Sequence, residues 1–287
     1  MEFLKPFSQK GFKAPQAERR KTMLLAVNVG NGNICFAAFD GVSAEPVAKF
    51  KVASDISRPA DEYAVIVSQL LVYSGIDVKS VDGVIMASVV PQLNDVIKNV
   101  ILALTGKSPI MVGPGVKTGF AIRIDDPGEL GADIVANASA VVSVMKTEKI
   151  EGPAIILSMG AVTTLFALNK NREVVGGSIL PGVGMSFDVL HRETAQLPSV
   201  EMSGVSKAIG KNTKESLISG VLLGQAAMID GLVDRFEKEL KCKSGEAILF
   251  ATGEKCKPVI GNCAREFRYD PTLTLKGLSC IYKNTVG

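Results

Sequence analysis

The chain has 287 residues, 47% hydrophobic and 21% charged, long enough for two ordinary domains and too apolar for a disordered or fibrous protein. Its net charge of +3 is uneven: residues 1–22 carry Lys5, Lys10, Lys13, Arg19, Arg20 and Lys21 against Glu2 and Glu18, and the near-neutral remainder argues against a nucleic-acid partner. Charges interrupt the long apolar runs and no apolar core follows the basic N-terminus, so neither a membrane partner nor a secretory signal is expected, and a cytoplasmic protein with a flexible basic extension over 1–22 is the simplest reading.

In chain order, apolar runs at 24–28, 33–39 and 47–52 predict a three-strand meander. Helical spacing over 61–74 ends before Gly75. A buried strand at 84–90 closes at Pro91, a second helix covers 94–104, and a short strand at 109–112 runs into a glycine-rich stretch, 113–119. The segment 126–133 opens a long helix of small residues reaching about Met145, and the charged residues 146–152 form a seam. The first pattern then restarts: Ile155-Ile156-Leu157-Ser158-Met159-Gly160-Ala161-Val162-Thr163-Thr164-Leu165-Phe166 repeats the outline of Leu24-Leu25-Ala26-Val27-Asn28-Val29-Gly30-Asn31-Gly32-Asn33-Ile34-Cys35-Phe36. A strand at 173–180, a helix at 186–196, helical periodicity over 213–240 broken at Gly220, Gly224 and Gly231, and a strand at 247–251 complete the second half. Duplicated meanders, each followed by helices and further strands, describe two ribonuclease-H-like halves of an α/β protein.

Few residues are available for chemistry. The five cysteines, Cys35, Cys242, Cys256, Cys263 and Cys280, contain no Cys-x-x-Cys pair, which argues against a zinc ribbon or redox motif. The single histidine, His191, excludes any site needing two and reads as structural. No metal-ligand set is read from the sequence. Residues 204–212 do not match a Walker A loop, and no Gly-x-Gly-x-x-Gly follows a strand. A phosphate site must therefore be built from the two hairpin turns. Gly30, Asn31, Gly32 and Asn33 offer close backbone approach, amide N–H groups and side-chain donors. Gly160, Thr163 and Thr164 form the second turn, with Thr252-Gly253 after a later strand. Taken alone, Asn31-Gly32-Asn33 also suits a type I′ hairpin.

Over residues 23–284 the chain resembles the type III pantothenate kinases, relatives of acetate and sugar kinases, Hsp70 and actin. The resemblance is carried by Ala87-Ser88-Val89-Val90-Pro91, Gly113-Pro114-Gly115-Val116-Lys117-Thr118-Gly119, Gly131-Ala132-Asp133, Gly176-Gly177-Ser178-Ile179-Leu180-Pro181-Gly182, Thr194-Ala195-Gln196-Leu197-Pro198 and Asp270-Pro271-Thr272-Leu273-Thr274-Leu275-Lys276-Gly277-Leu278. It implies an actin-like ATPase fold, with ribonuclease-H-like domains over 23–145 and 146–287. It further implies ATP-dependent phosphorylation of pantothenate in coenzyme A biosynthesis, by a homodimer whose active site draws on both subunits. The implied roles are Asp133 as general base; Asn28, Gly30, Asn31, Gly32, Asn33, Gly160, Thr163 and Thr164 around the ATP phosphates; and Gly131, Ala132, Gly113, Gly115, Lys117 and Thr213 around the substrate. Mg and a monovalent cation would accompany ATP in an active enzyme.

The reactive positions depart from the family's pattern. Its first hairpin reads Asp-x-Gly-Asn-Thr where this chain has Asn28-Val29-Gly30-Asn31-Gly32, and its second begins with Asp where this chain has Ser158. Its Gly-Ala-Asp-Arg is Gly131-Ala132-Asp133-Ile134 here, and its Thr-Gly-Gly is Thr252-Gly253-Glu254. Two acids and the arginine for the substrate carboxylate are missing, so activity is expected to be weak or lost. The alternative is a catalytically silent homologue acting as a nucleotide- or ligand-binding regulatory dimer.

Overall fold

The computed structural model describes residues 22–41, 43–202 and 207–287. Most of the basic extension, and residues 204–206 of the segment compared with a Walker A loop, lie outside them.

The first sheet starts with a nearly continuous apolar strand, β1 (Met23–Val29), buried on both faces as a central strand requires. It pairs antiparallel with β2 (Asn33–Phe39), which pairs antiparallel with β3 (Ala48–Ala53). On its other side β1 runs parallel to β4 (Val81–Ser88), and β4 to the two-residue β5 (Ile110–Met111), giving the order β3-β2-β1-β4-β5. Helices α1 (Ala60–Tyr73) and α2 (Asn94–Thr105) cover one face, where Leu25, Val27 and Val29 meet Tyr63, Val67, Leu71, Ile97 and Ile101. Gly106, left-handed at φ 69°, ends α2.

The second sheet repeats this plan. Strands β6 (Ala154–Met159), β7 (Val162–Leu168) and β8 (Val174–Pro181) form the meander, with β9 (Ile248–Thr252) parallel to β6 and β10 (Arg268–Tyr269) parallel to β9. Its outer face packs on α4 (Val183–Arg192), α5 (Thr213–Glu239) and the single-turn α6 (Lys257–Ile260). The inner faces of both sheets share one cluster with α3 (Ala132–Thr147) and α7 (Leu273–Val286): Leu24, Ala26, Ile85 and Ala87 from the first, Ala154, Ile156 and Phe250 from the second. The two helices therefore lie between the sheets, and the last element of the chain returns to pack on α3 and the first sheet.

Two expectations are revised. The helix expected at 186–196 spans Val183–Arg192, because it begins directly after Gly182 and the Thr194 hydroxyl takes the Leu190 carbonyl at its end. Helix α5 is not broken at its glycines: a buried stripe of Leu222, Ile229 and Val233 holds it against the second sheet, and this tertiary packing outweighs the weak helix propensity of glycine. It is also apolar enough by length and composition to cross a membrane, with a mean hydropathy of 1.6 over its best window, although Asp230 interrupts its uncharged run. Its buried face belongs to the core of the second sheet.

Candidate functional site

The first turn closes through the Gly30 amide, which donates to the Asn33 carbonyl at 3.0 Å, while Ser54 Oγ donates to the Gly30 carbonyl at 2.6 Å. It is not a type I′ turn. Neither Asn31 nor Gly32 has the positive φ that type requires. Gly32 is thus explained neither by its φ nor by crowding, since a Cβ there would meet nothing within 4 Å; it leaves open space above the turn. The second turn closes from the Gly160 amide to the Val162 carbonyl at 3.0 Å, and Gly160 is comparably open. Two glycines of other segments press on this turn. A Cβ at Gly182 would collide with the Ala161 carbonyl, and one at Gly253 with the Met159 backbone.

Strand register decides which side chains face one another. Directly paired residues share a face of the sheet. In the first sheet Lys51 pairs with Cys35, Cys35 with Asn28, and Asn28 with Ala87, so these four form a row across β3, β2, β1 and β4. Ala87 and Cys35 pack on the central cluster, which fixes the row as inward-facing. In the second sheet Thr164 pairs with Ser158 and Ser158 with Thr252, on the face of Ile156 and Phe250. The two positions where the family pattern carries acids, Asn28 and Ser158, thus both look into the space between the sheets. Thr163 points the other way: it is buried against α5, 3.5 Å from Gln225 Oε1.

The Asn28 side-chain oxygen Oδ1 is sealed from solvent and has no hydrogen-bond partner. Turning the amide over would leave an NH2 group in the same place. An unsatisfied buried polar group costs about 1–3 kcal/mol, and native structures carry few of them. Lys51 spans the gap between the sheets: its ammonium lies 2.6 and 2.7 Å from the carboxylate oxygens of Glu254, which follows Thr252 and Gly253. Both side chains are more than half exposed, so the pair contributes at most about 1 kcal/mol.

Asp133 stands in the first turn of α3. Burial pushes its carboxyl up, and the amides of Asp133 and Ile134 only partly counter this. A Cβ at Gly131, the N-cap, would lie 2.7 Å from Asp133 Oδ1, so glycine there lets the carboxylate fold back over the helix start. Helix direction places Asp133 relative to the turns. Tyr282, near the end of α7, fills the space beside Gly83 at the start of β4, while Thr274, near the beginning of α7, bonds Asn137 of α3 at 2.7 Å. Both helices therefore run opposite to β1 and β4, and their N-termini lie over the strand ends where the first turn begins.

Gly131 and Ala132 accompany Asp133 at that end. The glycine-rich stretch is drawn the other way: the Lys117 amide donates to Thr285 Oγ1 at 3.2 Å, and Lys146 Nζ to the Gly119 carbonyl at 3.1 Å, at the far ends of α7 and α3. Gly115, at φ 95°, has a backbone reason to be glycine, and Gly113 stands in open space in the same connection. Thr213 opens α5 on the surface beside an N-cap in which Asn212 Oδ1 accepts the Glu215 amide at 2.9 Å. No hydrogen bond or ion pair among the described residues joins Gly113, Gly115, Lys117 or Thr213 to Asp133. His191 holds the Leu197 carbonyl, 2.8 Å from its Nδ1, and plays no part in the turns.

The sequence profile of the family described as "Type III pantothenate kinase" matches residues 24–235. A protein of that name from Moorella thermoacetica is 41% identical over 264 residues, covering 91% of this chain and 99% of the relative. Those from Exiguobacterium sibiricum and Thermobifida fusca are 34% and 36% identical, each over 91% of this chain and 99% of the relative. The chain belongs to the type III pantothenate kinase family. Among solved structures, a putative Baf family transcriptional activator from Campylobacter jejuni superposes with TM-score 0.55 at 19% identity, covering 90% of this chain and 97% of that one. A putative 2-dehydro-3-deoxygalactonokinase from Sinorhizobium meliloti gives 0.54 at 13%, covering 91% and 98%. Both similarities are of fold alone, the actin-like ATPase fold.

The lining between the turns is neutral. Hard divalent cations take anionic oxygens. Here the inward rows supply an amide from Asn28, hydroxyls from Ser158, Thr164 and Thr252, and a Cys35 thiol whose ionisation burial disfavours. Glu254 is engaged by Lys51, and among the described residues no group of three or more His, Cys, Asp or Glu gathers to hold a metal. The residues present do not fit a divalent ion held by the protein. The register and the orphaned Asn28 oxygen were beyond sequence reasoning, because both follow from pairing across strands. A concavity of about 600 Å³ beside the β3 edge, lined by Glu45, Lys49, Tyr269, Asp270 and Lys276, also had no sequence signal; Lys276 is already held there by Asp270 and Glu45.

Proposed function

We propose that this chain is a nucleotide-binding type III pantothenate kinase homologue that keeps the general base of the reaction and phosphorylates pantothenate slowly or not at all. The observation that carries the reading is the sealed, unpartnered Oδ1 of the half-buried Asn28, set on the inner face of the first sheet as Ser158 is on that of the second. With the amide turned over, the orphaned position presents an NH2 donor that a phosphate oxygen would complete, and both turns leave open space above their glycines. The Asn31 and Gly32 amides and the side chains of Asn31, Asn33 and Thr164 offer donors to the phosphates, while Gly30 and Gly160, whose own amides close the turns, give close backbone approach.

Asp133 would take the proton of the acceptor hydroxyl. A carboxylate whose proton affinity is raised by burial is the better base for that step. Stabilisation of the charge that develops on the transferring group is what the site has lost. In phosphoryl transfer such stabilisation, with positioning, is almost the whole of catalysis. Ile134, 8% exposed in the central cluster, cannot make the bidentate contact to a carboxylate that an arginine makes. The expected assay outcome is little or no ATP-dependent phosphorylation of pantothenate. Turnover of about 1–100 per second would overturn the reading. We further place the protein in the cytoplasm as a homodimer, for which light scattering should return about twice the 30.3 kDa chain mass.

A further inference from the structure

We propose that the space between the turns takes its nucleotide as the free anion, without a divalent ion, and that Lys51 meets the phosphate charge that a metal would otherwise offset. The inference rests on the nucleotide reading above and says how that site is charged.

Three observations converge. The inward rows place neutral oxygen and nitrogen groups where two carboxylates would face each other, so a polyphosphate entering between Asn28 and Ser158 meets no fixed negative charge there. Carboxylates are what a protein uses to hold the metal that bridges nucleotide phosphates, and without them its hold on that metal falls. Secondly, Lys51 stands in the same row as Asn28, two strand spacings away, about 10 Å at the usual separation. Its ammonium already projects across the gap to the second sheet, where it holds Glu254. Thirdly, Glu254 is exposed and its hold on Lys51 is weak, so a phosphate oxygen entering beside Ser158 and Thr252 would displace it. Glu254 acts as a stand-in anion that parks the lysine at the mouth of the site and competes with the nucleotide for it.

Calorimetry on the full chain, with ATP in EDTA and with ATP in excess Mg, tests this directly. The expected result is binding in EDTA at least as tight as in Mg, weakened about tenfold by Lys51→Met and strengthened a few-fold by Glu254→Gln. Thermal melts of both variants, expected within a few degrees of the parent, show that any loss is not unfolding. Binding at least tenfold tighter with Mg would overturn the metal-free proposal while leaving the nucleotide site standing. Unchanged affinity in Lys51→Met would overturn the role of the lysine. Absence of ATP binding in either buffer would overturn the nucleotide reading itself and this proposal with it.

Discussion

Asp133 and Glu237 show how the same functional group is tuned in opposite directions by its neighbours. Asp133 is raised by burial that its first-turn amides do not offset, so ionising it in the folded protein costs stability. The cost is nil below the unfolded aspartate value near about 3.9, where both states are protonated, and it grows as pH climbs through the higher folded value. Asp133→Asn should therefore melt above the parent at pH 7 to 8 and level with it near pH 3.5, provided both stay folded there. Glu237 is 1% exposed, and burial alone would push it up as well; Arg265, at 2.9 and 3.0 Å, and the Gly245 and Ala247 amides, at 3.1 Å, outweigh this and hold it low. Its stabilisation is present above about pH 4.3 and is lost as pH falls through the folded value. Truncation by Glu237→Ala leaves Arg265 half-buried without its main partner, and should cost about 3–5 kcal/mol in urea unfolding at pH 7.

At the scale of elements, the contact that most restricts the fold is the crossing of α3 and α7. A Cβ at Gly277 would collide with the Ala136 carbonyl, so the two helices meet backbone to backbone there. Gly277→Ala should force them apart and cost about 1–3 kcal/mol, read as a lower denaturation midpoint with the slope unchanged. That crossing was not legible in the sequence. Residues 273–286 contain Thr274, Gly277, Ser279 and Thr285, poor helix formers that become helical by packing on a partner about 140 residues earlier in the chain. The two hairpins were legible, because continuous apolar runs around Gly-bearing turns are a local signal. The turn type was not: Asn31-Gly32 suits type I′ on local grounds, yet the turn forms without positive φ. In the site, Asn28, Ser158 and Asp133 could be found from their motifs. The Lys51–Glu254 pair could not, since its partners are 203 residues apart and meet only after both sheets have formed.

The whole molecule sets two similar sheets around a shared helical layer, so each turn is aimed by its own sheet and the space between them by the packing of both on α3 and α7. Charge placed at Asn28 and Ser158 is consequently felt by the assembled protein and hardly at all by either hairpin alone. Restoring both acids, Asn28→Asp with Ser158→Asp, would put one carboxylate in a spot sealed from solvent and a second on the facing sheet. Without a cation, desolvation and like-charge repulsion should lower the melting temperature by several degrees, as about 1–3 kcal/mol would in a chain of this size. Millimolar Mg should then recover much of that loss in the double variant, because a ligand that binds only the folded state stabilises it by mass action. The parent, with its amide and hydroxyl lining, should melt at the same temperature with and without Mg. A Mg-dependent rise in the parent, or none in the double variant, would show that the charge of this site is not governed by these two positions.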